Sequence, residues 1–175
     1  MSRAFIKEDS DQPERLPDRP QSDLPNYMTP AGRAAMADSL ASLEREHAEL
    51  KASGEWAAGS RLPALERDIR YYRARLQSAL PVEPPASAPE TVIFGAAVGF
   101  VDEQEQPFHF QIVGEDEADI ARGRISWSSP LARALLGKRV GDSAIWPRPA
   151  GALEIEITEI WIPPSSPART PGPAR

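Results

Sequence analysis

The chain has 175 residues and a formal net charge of -6, a length that suits one ordinary domain or one small domain with a helical appendage. It has no cysteine, which excludes disulfides and thiolate metal sites, and its two histidines, His47 and His109, stand in different segments without metal-ligand spacing. No apolar run approaches the ~20 residues needed to span a membrane, and Glu8, Asp9 and Asp11 close behind Met1 leave no room for the apolar stretch of a secretory signal, so a cytoplasmic location is expected.

Most of the 19 prolines lie before Pro30, between Pro81 and Pro89, and after Ile162. Proline lacks a backbone donor and disfavours helix in the residue before it, so these zones read as tail, linker and tail. Residues 1–28 are polar and proline-rich and are expected to be a disordered tail. Thr29-Pro30 opens a helix, with Thr as N-cap and Pro preorganised for the first helical position. Apolar residues follow at Met36, Leu40, Leu43 and Leu50 in steps of three and four, with His47 a weak fit to the same stripe. Gly54 and Gly59 interrupt the stripe, and it resumes at Leu62, Leu65, Ile69, Tyr72, Leu76 and Ala79. Two such seams across a short loop predict an antiparallel helical hairpin over residues 29–80. Glu44, Arg45, Glu46, Glu49, Arg67, Arg70 and Arg73 lie off the seam and read as a solvated face with i,i+4 pairing.

Residues 81–90 form a Pro/Ala linker, expected to be extended. From Thr91 the period changes to two. Val92, Phe94 and Ala96, continuing to Val98 and Phe100, then Phe108, Phe110 and Ile112, and then Leu153, Ile155 and Ile157 predict half-buried strands. Ile160 and Ile162 continue the last strand after a bulge at Thr158-Glu159. Ser129-Pro130 opens a short helix, Leu131 to Leu136, which Gly137 ends. Val140-Gly141-Asp142 turns into a strand from Ser143 to Trp146. The fold class is α+β, a helical hairpin followed by a small antiparallel sheet domain with one short helix over residues 91–162. Residues 163–175 are a second disordered, proline-rich tail.

The acidic balance opposes simple DNA binding, which needs a basic face. It is compatible with plain solubility, or with a partner that presents a basic surface or channel.

The wording of the second half is more specific than its periodicity. Val92-Ile93-Phe94-Gly95-Ala96-Ala97-Val98, Ile112-Val113-Gly114-Glu115-Asp116-Glu117-Ala118-Asp119 and Ile125-Ser126-Trp127-Ser128-Ser129-Pro130-Leu131-Ala132-Arg133-Ala134-Leu135-Leu136-Gly137-Lys138 resemble stretches of the GreA/GreB transcription elongation factors. The resemblance covers residues 91–162 closely and extends to Thr29-Pro30-Ala31-Gly32 at the start of the hairpin. It implies an FK506-binding-protein-like sheet domain that docks beside the secondary channel of core RNA polymerase, with the hairpin entering the channel. It implies no enzyme activity of the chain's own, no cofactor, and contact with DNA and RNA only through the elongation complex. A monomer is expected. The polymerase-binding candidates carried by the resemblance are Asp116, Glu117, Asp119, Ser126, Ser129, Pro130 and Arg133. Asp116, Glu117 and Asp119 read either as an acidic turn capping local amides or as a patch for basic residues of the polymerase. Ser129-Pro130 is also accounted for by helix capping alone.

The tip departs from the family pattern, in which a paired Asp and Glu hold a metal ion for cleavage of backtracked RNA. Between Leu50 and Leu62 this chain carries one carboxylate, Glu55, and one monodentate carboxylate binds magnesium poorly without help. Glu55 is therefore the one weak catalytic candidate, and the Mg²⁺ of the polymerase active site is relevant only if the chain stimulates cleavage. The first helix can run from about Pro30 to Ala52, roughly 34 Å, and the family's hairpin exceeds it by roughly 9 Å at the tip. The expected function is polymerase binding and regulation of elongation without strong cleavage stimulation. The alternatives are an active cleavage factor using Glu55 and a relative of the short-hairpin nucleoside diphosphate kinase regulator. A prolyl isomerase is a further alternative on fold alone, without an aromatic-lined pocket signature in the sequence. Trp56 reads either as folded back on the seam or as an interaction anchor.

Overall fold

The computed structural model describes residues 15–53 and 58–164, the side chains of 58–60 excepted. Gly54, Glu55 and Trp56, the first half of the N-terminal tail and nearly all of residues 163–175 lie outside the described residues.

Two long helices form the hairpin, α1 (Pro30–Ser53) and α2 (Ala58–Gln77). Thr29 starts α1 as its N-cap: the Gly32 N–H donates to Thr29 Oγ1 at 2.9 Å and the Arg33 N–H to the Thr29 carbonyl at 2.9 Å. The apolar seam packs as the heptad spacing predicts, with Met36, Leu65 and Ile69 buried and Leu40, Leu43, Leu50, Leu62 and Leu76 half-buried. Several flanking side chains pair across the hairpin, while Arg67 meets its own neighbour Asp68 at 3.1 Å. Arg73 Nη2 meets Glu44 Oε1 at 2.6 Å, Arg61 Nη2 meets Glu46 Oε1 at 2.9 Å, and His47 Nε2 meets Glu66 Oε1 at 3.2 Å. These exposed pairs set register more than they stabilise.

The end of the segment expected as a disordered tail is instead part of the folded body. Strand β1 (Tyr27–Met28) pairs in parallel with β2 (Leu80–Pro81), which follows α2. Met28 is buried, and so is Asn26, whose Nδ2 donates to the Arg75 carbonyl at 2.8 Å and to Ser78 Oγ at 3.0 Å. Farther upstream the chain lies along α2: Arg70 donates to Asp18 Oδ1 at 2.7 Å and to the Leu16 carbonyl at 3.0 Å, and the Arg19 guanidinium sits 3.9 Å from the centre of the Tyr71 ring. The Arg70 hydrogen bond holds the exposed Asp18 carboxyl below its ordinary pKa.

Residues 82–96 carry neither helix nor strand and lead into a five-stranded sheet. Its strands are β3 (Ala97–Asp102), β4 (Pro107–Val113), β5 (Arg124–Ser126), β6 (Ser143–Trp146) and β7 (Leu153–Trp161), in the spatial order β5-β4-β3-β7-β6. The sheet is mixed and not wholly antiparallel. β5 runs parallel to β4, because the chain crosses between them through two 3₁₀ turns, Glu115–Glu117 and Ile120–Arg122, and not through a hairpin. The first strand begins at Ala97 and not at Val92. Gly95, at φ +86°, bends the preceding segment, and its N–H donates to the Ile112 carbonyl at 2.8 Å.

Helix α3 (Pro130–Leu135) covers one face of the sheet. Ser129 caps it by accepting from the Ala132 N–H at 3.2 Å. Leu131, Ala132 and Leu135 pack with Val92, Val98, Phe100, Ile112, Ile155 and Ile157 into the core. Phe108, Phe110 and Trp146 close around Phe100, at ring separations of 5.4, 6.1 and 6.0 Å. The predicted bulge is present: Gly99 faces Glu159 while Phe100 faces Ile157, which leaves Thr158 as the extra residue. The architecture is α+β, a long helical hairpin followed by a small sheet domain.

Candidate functional site

The chemistry-bearing residues of the sheet domain gather at the start of α3 and in the acidic turn between β4 and β5. At α3, Pro130 and Arg133 are exposed. The Arg133 side chain has no hydrogen bond or ion pair among the described residues, so its guanidinium is open to a partner. Ser129 is engaged as the helix cap. Ser126 Oγ shares a hydrogen bond with Ser128 Oγ at 2.8 Å, and Ser128 donates on to Glu115 Oε1 at 3.1 Å. Ser126 therefore shapes the turn before α3 and leaves its surface to Pro130 and Arg133.

Asp116 and Glu117, expected as polymerase-facing acids, are turned inward and engaged within the chain. The Asp116 side chain is 15% exposed, and its Oδ2 accepts from Arg75 Nε of α2 at 2.5 Å. Its other oxygen accepts from the Tyr71 hydroxyl. The Arg75 side chain is 4% exposed, and its Nη2 lies 3.9 Å from Glu115 Oε2. Burial pushes the Tyr71 hydroxyl pKa up to about 12, and the hydrogen bond to Asp116 acts in the same direction. Asp119 is partly exposed and balanced by Arg122 at 3.4 Å and Arg124 at 3.7 Å.

Glu117 is buried against the other helix of the hairpin. Its Oε2 accepts from the Thr29 N–H at 2.9 Å and the Gly114 N–H at 3.1 Å, while Oε1 accepts from the Thr29 hydroxyl at 2.5 Å. A carboxylate at the start of α1 also complements the helix dipole, as Arg75 does in the last turn of α2. Two glycines make the approach possible. A Cβ on Gly32 would collide with the Glu117 carboxyl, and one on Gly114 would collide with the Tyr27 carbonyl and with Glu117. Tyr27 adds an edge contact to Trp127 at 5.2 Å and a tilted one to Phe94 at 5.9 Å.

Sequence reasoning missed Tyr71, Arg75 and Thr29 as partners of this turn. Arg75 carried a usable signal, since it follows Tyr72 toward the helix end where a long cation could reach the domain. Among the described residues no group of three or more His, Cys, Asp or Glu side chains could hold a metal ion, and no helix is long and apolar enough to cross a membrane. Glu55, the weak catalytic candidate, lies outside the described residues.

Residues 87–162 match the family model described as "Transcription elongation factor, GreA/GreB, C-term". The chain is 38% identical over 151 residues to the transcription elongation factor GreB of Neisseria meningitidis serogroup B, covering 77% of this chain and 93% of that one. It is 44% identical over 119 residues to the transcription elongation factor GreA of Alkalilimnicola ehrlichii, covering 66% of this chain and 75% of that one. Among solved structures, GreA factor homolog 1 of Thermus thermophilus aligns at 24% identity with a TM-score of 0.38, covering 77% of this chain and 97% of that one. With this identity running through both the hairpin and the sheet domain, the chain belongs to the GreA/GreB family of transcription elongation factors.

Proposed function

We propose that the protein binds core RNA polymerase at the secondary channel and regulates elongation, with the sheet domain as the docking part and the hairpin as the probe. The observation that carries this reading is the 38% identity to a GreB factor over 93% of that factor's length, which spans both parts together. Pro130 and Arg133 on α3, the latter without a side-chain partner among the described residues, supply an exposed docking face, and Asp119 stands as a second, partly neutralised contact. Asp116 and Glu117 leave the docking face and serve the joint.

The protein acts through the polymerase and not as an enzyme, takes no cofactor of its own, and stimulates transcript cleavage weakly. The reason is the tip, where Glu55 is the one acid between Leu50 and Leu62. The test is capture of core polymerase by the full chain, with cleavage measured in backtracked complexes at saturating protein. Binding without strong cleavage supports the proposal. Strong stimulation that disappears in Glu55→Ala favours a cleavage factor instead, and absence of binding removes the reading.

A further inference from the structure

Consecutive residues of one turn hold both helices of the hairpin at its root. Asp116 grips the end of α2 through Arg75 in its last turn and Tyr71 one turn earlier, and Glu117 grips the start of α1 through Thr29. A hairpin held at one helix could pivot about that contact. One held at both, by side chains adjacent in sequence, has its direction relative to the sheet domain fixed. We infer that Arg75, Tyr71, Asp116, Glu117 and Thr29 are positioning residues that set the angle of the hairpin and thereby where its tip arrives on the polymerase. The functional consequence rests on the polymerase reading above; the mechanical one does not.

Four features support a dedicated latch over incidental packing. Both grips are charged and largely withdrawn from water, where a carboxylate persists only if its partners are held in place. Glu117 uses both oxygens, and the hydroxyl it accepts from is also the N-cap of α1, so the cap and the latch share one atom. Gly32 and Gly114, on opposite sides of the joint, both leave the space that the Glu117 carboxyl fills. Asn26 ties the Arg75 backbone while Asp116 holds its side chain, so the strand entering the hairpin and the turn of the domain converge on one residue.

Leverage makes a small angular error matter. α1 has 24 residues, about 36 Å at 1.5 Å per residue, so freedom at the root becomes a displacement many times larger at the tip. A channel-inserting probe with a loose root would still dock through its sheet domain while its tip missed its place.

The chain has no cysteine, so a spin-label pair on Ala48→Cys in α1 and Gln104→Cys between β3 and β4 reports the angle in the full protein. The parent is expected to give one narrow distance distribution by pulsed electron resonance. Asp116→Asn combined with Glu117→Gln is expected to broaden it while helix content by circular dichroism stays unchanged. Arg75→Lys, a milder change that keeps the charge and loses the fork, is expected to broaden it partially. In complexes with core polymerase, the double variant should still displace a labelled Gre factor but lose the crosslink from a photoreactive group at the tip. An unchanged narrow distribution in the double variant and in Arg75→Lys would overturn the latch. Broadening accompanied by full retention of the tip crosslink would overturn the claim that the latch sets where the tip arrives. If the parent fails to bind polymerase, the functional proposal falls, and the distance distributions still decide the latch.

Discussion

Arg75 and Asp116 are 41 residues apart in sequence and 2.5 Å apart in space, joining the last turn of the hairpin to the first turn after β4. Arg75 is the most completely buried cation among the described residues, at 3% exposure. Truncating it leaves the mostly covered Asp116 carboxylate with the Tyr71 hydroxyl but without its cation. Arg75→Ala is expected to cost about 3 kcal/mol, the penalty of an uncompensated buried charge added to lost packing. Chemical denaturation against the parent checks it, and a cost within about 0.5 kcal/mol, typical of a surface change, would show the pair to be solvated.

Gly114→Ala is expected to destabilise more than Gly32→Ala. At Gly114 the new methyl meets the backbone carbonyl of Tyr27, which cannot move without disturbing β1. At Gly32 it meets the Glu117 side chain from Cγ to Oε1, which can rotate away at the loss of its hydrogen bonds, whereas a backbone carbonyl cannot. The first change should cost about 2 kcal/mol or more, in the range of overpacked sites, and thermal melts of the two variants decide the order.

Tyr71 gives the joint an alkaline limit. Its folded pKa is raised from the ordinary tyrosine value of 10.0 to about 12, so the unfolded chain loses this proton first. The stabilisation is fully present below pH about 10 and is lost as pH rises through about 12. Denaturation midpoints followed upward through that window should fall faster for the parent than for Tyr71→Phe, which has no proton to lose. Parallel curves would place the hydroxyl outside the coupling.

Within the hairpin, Leu65→Ala is expected to cost about 3 kcal/mol and Leu43→Ala under about 2 kcal/mol. Both lie on the heptad seam, but Leu65 is 2% exposed while Leu43 is half-buried. Equal costs by denaturation would mean that the seam is evenly packed along its length.

That contrast marks how far the sequence could be read. Period and capping chemistry are local, so the seam, the Thr29 and Ser129 caps, the short helix and the bulge at Thr158 were legible from residue spacing. Burial along the seam was not, because it depends on what covers each position from elsewhere. Tyr27–Met28 is two residues long, too short for any period to show, and proline-rich flanks hid it. The alternation from Val92 to Ala96 is real, yet Gly95 at positive φ breaks it before pairing begins. The parallel placement of β5 depends on a crossover that no local pattern encodes. The acidic turn was located correctly and its partners were not, since an Asp-Glu pair looks the same whether it faces solvent or an arginine 41 residues upstream.

The proposed docking surface on polymerase is the α3 face of the sheet domain. The most direct measurement is displacement of a labelled Gre factor from core RNA polymerase by the full chain and by Arg133→Glu. Arg133 is exposed and without a side-chain partner among the described residues, so its reversal should leave thermal stability within about 0.5 kcal/mol of the parent. Full displacement by the parent and clearly weaker displacement by Arg133→Glu are expected, with the difference shrinking as salt is raised. Equal displacement by both proteins at low salt would contradict that docking surface.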